Sequence, residues 1–477
     1  MGEINLASAL VWWGMSLRRN VQGRLPFEYE VIKDEGTVTS YGGLPLVVDT
    51  MRSLGLDESV RRHVELGKRS RQFDEASLVE AFVLLMAAGG DCLDDFKVLS
   101  EDRALCRLLD RQLPSPETAR KFLYEFHDDA LVEAARAALP AGEVAYVPEE
   151  NSALRGLGQA NVEFVRAVAA RGRAKIATVD IDATIQESHK REAKAHYEGG
   201  RGYQPVAALW AEADLVLADE FRDGNVPAGK DTVRLTERAF AALPAAVTER
   251  RFRGDSAFYN EAELKWLVSQ SIEFTVSADM GKELRALCQK VPQEAWQLFE
   301  ERGDETVHLS EVEFYPGEWH KDAPALRYLA IRFTPRQGKL FDEGAGPKYL
   351  AVVTNRAGAV EKLVRWHWEK AGTVEHLHDV TKNELGAGVL PCGRFGANAT
   401  WYRLALMTYN VLSALKSIAL PPSLQTARPK RLRFQVFVIP AIVSQHARRL
   451  IARLVDRAMR AVEAVAARHR LWALRPA

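Results

Sequence analysis

The 477-residue sequence predicts a mixed α/β fold with helical regions at both ends, and three observations carry that expectation. Helical periodicity dominates residues 1–170. From about residue 174, short runs of β-forming residues alternate with helical stretches, and after about residue 390 the pattern is helical to the end. At 47% hydrophobic and 27% charged, the chain has ample material for a core, and its length suits two to four compact units.

The N-terminal region, 1–170, opens with a hairpin-like piece, Phe27–Tyr41, whose turn falls at Gly36. Helices are expected at Ala76–Ala88, Asp102–Leu109 and, after Leu113-Pro-Ser-Pro, Glu117–Phe126. The last two have the order of a helix-turn-helix unit, though ordinary helical packing explains them as well. Residues 171–277 form the first part of the α/β core. Strands are expected at Lys175–Asp182, Val206–Trp210, Leu215–Phe221, Arg250–Asp255 and Glu273–Ser277, with helices at Thr232–Leu243 and Asn260–Gln270. Residues 278–355 read as a β-rich insertion with strand-like runs Thr306–Phe314, Tyr328–Phe333 and Tyr349–Thr354, because Asp255 and Glu375 are separated by far more chain than one crossover needs. A final core helix falls in 356–390, and 391–477 reads as a helical, basic C-terminal region.

Net charge is zero, but unevenly spread. From Leu420 to Ala477 there are 12 Lys or Arg against only Asp456 and Glu463, the asymmetry expected of a segment that meets phosphates or an acidic partner. The four cysteines are far apart with no Cys-x-x-Cys pair, so neither a zinc knuckle nor a disulfide framework is indicated. No stretch approaches the roughly 18 apolar residues of a membrane span, and the N-terminus lacks the basic start of a signal peptide, so a cytoplasmic protein with no membrane partner is expected.

The acidic residues carry the chemistry. Asp180 and Asp182 lie on one face of a strand, because side chains alternate with period two, and the residues alone do not choose between them as metal ligands. Buried carboxylates in an apolar strand need a partner or a metal. Asp255 ends a second apolar run. In Gly372–Glu384, which reads as a helix, Glu375, Asp379 and Lys382 fall at i, i+4 and i+7 and share a face. A rival set there, Glu375, His376, His378 and Asp379, suggests a transition-metal site, but 376 and 378 point about 200° apart on a helix and cannot easily share one ion. Between the first and second acids, Glu187–Pro205 mixes cations, histidines, tyrosines and a Gly-Gly-Arg-Gly turn, a composition suited to gripping a phosphate backbone. Lys190, Arg191, Arg201 and Tyr203 in this stretch, with Lys382 and Arg394 downstream, are the candidate DNA contacts. Trp296 and Trp319 are candidates for stacking on an unpaired base, with core packing as the simpler reading.

Five motifs occur in order: Val179-Asp-Ile-Asp-Ala-Thr184, Tyr197-Glu-Gly-Gly-Arg-Gly-Tyr-Gln-Pro205, Leu217-Ala-Asp-Glu-Phe-Arg-Asp-Gly-Asn-Val-Pro227, Phe252-Arg-Gly-Asp-Ser256 and Gly372-Thr-Val-Glu375. Together they resemble the DDE transposases of bacterial insertion sequences, in particular the group numbered thirteen-eighty. The resemblance implies a ribonuclease H-like core interrupted by a β-rich insertion. It also implies Asp182, Asp255 and Glu375 as catalytic, metal-holding acids, with two Mg²⁺ ions (Mn²⁺ as a substitute) serving cleavage of the element ends and strand transfer into target DNA. The implied partners are double-stranded DNA, as terminal inverted repeats and target, and a second copy of the chain in the synaptic complex, at the bacterial nucleoid. Related transposases carry Tyr-x-x-Arg before the last acid. Here Trp368 and Ala371 stand at those positions, which leaves Lys370 or Arg365 as replacements for the arginine. A nuclease without strand transfer and a host-adopted DNA-binding protein are the alternative readings.

Overall fold

The computed structural model describes residues 29–31, 36–67, 72–317, 319–320, 324–335, 346–455 and 459–474. Its centre is a nine-stranded sheet whose strands, numbered in chain order, are β1 (Ile176–Ala183), β2 (Val206–Trp210), β3 (Leu215–Glu220), β4 (Glu249–Gly254), β5 (Glu273–Ser277), β6 (Gln297–Arg302), β7 (Glu305–Val312), β8 (Arg327–Pro335) and β9 (Lys348–Thr354). They lie in the order β6-β7-β8-β9-β5-β4-β1-β2-β3.

One half of this sheet, β3-β2-β1-β4-β5, has β1, β4 and β5 parallel and β2 antiparallel to both neighbours. That mixed order is the ribonuclease H-like arrangement the resemblance implies. The strands are read well from sequence because Ala177, Val179 and Ile181 alternate inward and are fully buried, whereas the alternate positions carry Thr178, Asp180 and Asp182. The other half is built from the β-rich stretch that follows β5. β9 pairs antiparallel with β5 through Val352↔Ser277, Val353↔Val276 and Thr354↔Thr275, so β6–β9 widen the core sheet. Helix Val360–Trp368 covers one face of that extension, where Val307, Leu309, Leu329, Ile331 and Val352 meet Leu363 and Val364.

The 24-residue helix Phe395–Ile418 is buried from Gly396 to Leu415, as expected of a helix that is apolar all round. It runs between the sheet and the N-terminal helices. Asn410 exchanges two hydrogen bonds with the Val216 backbone (2.7 and 2.9 Å), which closes part of the free ladder of edge strand β3. Trp401 packs edge-on against Phe82 of helix Glu75–Ala88, with ring centroids 6.0 Å apart. Among the described residues no single helix is long and apolar enough to cross a membrane.

Two expectations change. Of the hairpin-like Phe27–Tyr41, residues 27–28 and 32–35 lie outside the described residues, and Val38–Thr39 pairs instead with Ala441 and Ile442. The C-terminal region is not helical throughout: Ala441–His446 and Arg449–Leu454 form an antiparallel hairpin before helix Arg460–Trp472.

Candidate active site

Parallel strands β1 and β4 are adjacent, with Ile181 paired to Gly254, so the next residue of β1 and the residue that follows β4 leave the same sheet edge side by side. They are Asp182 and Asp255. The carboxyl ends of parallel strands are where α/β sheets place ligands. Asp255 then turns the chain: its Oδ1 accepts the Ala257 N–H at 3.0 Å and caps the short turn Ser256–Phe258.

Glu375 lies exposed in the first turn of helix Val374–Glu384. Three polar ties fasten this helix to β1 and the chain just beyond it. The Thr373 hydroxyl donates to Asp180 Oδ2, His378 Nε2 lies 3.2 Å from the Asp182 carbonyl oxygen, and Lys382 Nζ donates to the Ile185 carbonyl at 3.0 Å. His378 is fully enclosed, and burial holds its ring at about 4, so it is neutral at physiological pH and can donate through Nε2.

The charge of Glu375 is felt at Asp182, and that of Asp182 at Asp255. Burial pushes the Asp182 carboxyl above the usual range, Lys370 opposes this, and the charge of Glu375 adds to the rise. Asp255 is raised by burial and then by the charge of Asp182, again opposed by Lys370. The ammonium responsible is 3.5 Å from Asp182 Oδ1, on a side chain whose residue is only 8% exposed. Two buried aspartates with one close ammonium leave the sheet edge short of positive charge, and hard oxygen donors suit a divalent ion such as Mg²⁺.

Asp180, which the sequence leaves level with Asp182, is already occupied. It is 0% exposed and forms a two-pronged ion pair with Arg253, its register partner on β4, at 2.7 Å for both contacts. Arg253 also donates to the Trp366 carbonyl (2.6 Å) and to Glu369 (3.2 Å), and its guanidinium lies over the Trp366 ring. The Asp180 carboxylate is therefore spent on holding strand to helix. Arg253 is the site residue that motif reading misses, since nothing in Phe252–Ser256 marks it as buried; Lys370 is one of the two replacements for the arginine, and His378, from the rival metal set, serves instead as a tie to the Asp182 carbonyl.

The basic candidates divide. Tyr203 is not a surface contact: it is 1% exposed, stacks on Phe221 with centroids 5.1 Å apart and accepts a hydrogen bond from Asn398, because β-pairing with Gln186 turns its ring inward. Arg201 is exposed but braces its own loop, donating to the Ala193 and Arg191 carbonyls at 2.9 and 2.7 Å. Arg191 is exposed, Lys190 is half-buried, and Arg394 is exposed with its guanidinium over the Tyr124 ring. Trp296 is buried with Arg332 over its ring, and Trp319 leans on Tyr259, so core packing accounts for Trp296. At the motif departures, Trp368 packs against Phe299 and Arg302, whereas Ala371 is exposed.

No curated protein matches the sequence. Among solved structures, the cryo-EM piggyBac transposase synaptic complex with hairpin DNA is similar at a TM-score of 0.45 and 10% identity, over 83% of this chain and 79% of that one. The family model described as "Transposase DDE domain group 1" matches residues 28–476. With that match running over nearly its whole length, the chain belongs to the family of group 1 DDE-domain transposases.

Proposed function

We propose that this protein is the transposase of a bacterial insertion sequence, of the group numbered thirteen-eighty, that cuts the ends of its element and joins them to target DNA. The observation that carries the reading is the meeting of Asp182 and Asp255 at the carboxyl ends of adjacent parallel strands, with Glu375 on a helix tied to the first of those strands. DDE transposases depend on divalent metal, and these three residues would hold it, as two Mg²⁺ ions for which Mn²⁺ substitutes. Bound there, the ions would supply activation of the attacking oxygen and neutralisation of the leaving one.

The chain's own residues do the rest. Asp182, Asp255 and Glu375 would be the ligands that hold the ions, with Asp182 the acid whose carboxyl feels the charge of Glu375 and is felt by Asp255. Lys370 offers an ammonium to a phosphate oxygen once it is displaced from Asp182. Lys190, Arg191, Arg201, Lys382 and Arg394 position the DNA backbone. Water attacks first, freeing a 3′-hydroxyl at the element end, and that hydroxyl then attacks the target. The helical residues 1–170 and the basic region 391–477 bind the terminal inverted repeats and pair two ends in a homodimer, acting at the nucleoid.

The test uses a labelled end, both intact and pre-cleaved, and a supercoiled plasmid. Wild-type protein should join the label to the plasmid, and Asp182→Ala should bind the end but neither cut nor join. Joining at the wild-type rate by Asp182→Ala removes the assignment. Cutting without any joined product by the wild type would favour a nuclease.

A further inference from the structure

The C-terminal hairpin is the least expected part of the fold. At its base it is well anchored: Val38–Thr39 pairs with Ala441 and Ile442, the Val443 N–H donates to the Thr37 carbonyl at 2.7 Å, and Ala441 and Val443 are buried. Gly42 lies under the base, where a Cβ would come within 2.8 Å of Ala441 and Leu454. Beyond Val443 the support ends. Every residue from Gln445 to Leu450 is exposed, so both faces of the ribbon are open to solvent.

The ribbon's charge is of one sign. Ala441–Val455 contains Arg448, Arg449 and Arg453 and no Asp or Glu. Arg453 reaches across to Ser444 at 2.8 Å, bracing the two strands. Among the described residues neither Arg448 nor Arg449 makes an ion pair. The turn itself is strained. Ala447 and Arg448 both have positive φ, 46° and 65°, in a two-residue turn that ordinarily favours Asn-Gly. A glycine at 448 would relieve that strain, yet an arginine stands there and places its guanidinium at the extreme tip.

We propose that the Ala441–Leu454 hairpin is a DNA-groove probe, with Arg448 and Arg449 seated in a groove of duplex DNA and held to its phosphates. This rests on the DNA-processing function proposed above. A two-stranded β-ribbon fits a major groove about 12 Å wide and 8.5 Å deep. The exposed part, from Ser444 to the turn, spans about 13 Å at roughly 3.3 Å per residue, enough to reach the groove floor. Duplex DNA fits this element better than a second copy of the chain would, because pairing two Arg449–Leu454 edges would bring arginines against arginines.

The experiment uses the full chain and measures binding to a short duplex by fluorescence anisotropy between 0.05 and 0.3 M salt, beside circular dichroism and sedimentation. Two variants are compared. Arg448→Ala/Arg449→Ala removes both charges; Ala447→Asn/Arg448→Gly gives the turn its preferred residues while removing one guanidinium, so the hairpin stays folded. The slope of log K against log salt should flatten by about 2 in the first and about 1 in the second, with weaker binding in both. A wild-type slope in both variants overturns the proposal while leaving the transposase reading intact. A change in sedimentation with no change in DNA binding also overturns it, since the hairpin would then be a subunit contact. If wild-type protein binds no duplex at 0.05 M salt, the underlying DNA function fails.

Discussion

Replacing Arg253 by methionine tests the frame on which the acidic site is built. Arg253 and Asp180 are 2% and 0% exposed and make two contacts of 2.7 Å, so the substitution leaves a carboxylate in the core with the Thr373 hydroxyl as its remaining side-chain donor. Truncating one partner of a buried ion pair costs about 3–5 kcal/mol, whereas removing both charges is often nearly neutral. At a urea m-value of about 2–3 kcal/mol/M, the single variant should lose about 1–2 M in midpoint. Asp180→Asn/Arg253→Met should recover at least half of that. Intrinsic fluorescence of the 10 tryptophans, Trp366 under the guanidinium among them, follows the transition. The single variant should also bind Mn²⁺ more weakly, because the Arg253 bonds to Trp366 and Glu369 hold the turn that leads into the helix of Glu375. A midpoint loss equivalent to less than about 1 kcal/mol, or a double variant no more stable than the single one, would refute the reasoning.

Two further outcomes follow from charge. Lys370→Met should bind Mn²⁺ at least about fivefold more tightly in calorimetry, since a divalent ion need no longer displace an ammonium 3.5 Å from Asp182; weaker or unchanged binding counts against Lys370 as the site's own cation. Glu263, fully buried beside Thr232 and Thr236, is pushed up by burial to about 7 from its ordinary 4.5, so folded protein retains a proton that unfolded protein loses. Stability is unaffected by this group below about pH 4.5, falls by about 3 kcal/mol as pH rises to about 7, and stays lower above that. Glu263→Gln should remove this part of the pH dependence in thermal melts, and an unchanged profile would show that Glu263 ionises without cost.

The parts of this fold legible in the sequence are those set by local pattern. Strands β2 and β5 fall where their apolar runs place them, and helix Thr232–Ala242 starts where expected. What was not legible depends on distant partners. Period two puts Asp180 and Asp182 on one face and stops there; they are separated by Arg253, 73 residues later, in register with the first of them. The extension β6–β9 reads as an insertion because nothing in Tyr349–Thr354 announces that its neighbour is Thr275–Ser277. The C-terminal hairpin was hidden because its turn is Ala-Arg, without the Asn-Gly signal, in a segment whose Ala and Arg content favours helix. Tyr203 was misplaced for the same reason in reverse: its loop composition is that of a surface, but the ladder to Gln186 turns the ring inward.

The departure from the family pattern before Glu375 takes on a different meaning in three dimensions. Where related enzymes carry tyrosine and arginine, this chain has Trp368, which is drawn into packing with Phe299 and Arg302, and Ala371, which has no charge to give. Read along the sequence, that leaves the choice of cation open between Lys370 and Arg365. Yet the intervening residue, Lys370, sits in the short turn Glu369–Gly372, and the turn is held on one side by Arg253 bonding to Glu369 and on the other by Thr373 bonding to Asp180. This delivers the ammonium to Asp182 from a position that helical spacing does not single out. The positive charge has been moved by one residue. Because the clamp that places it also ties β1, β4 and the helix of Glu375 together, cation and acids are fixed by the same bonds and should be disturbed together.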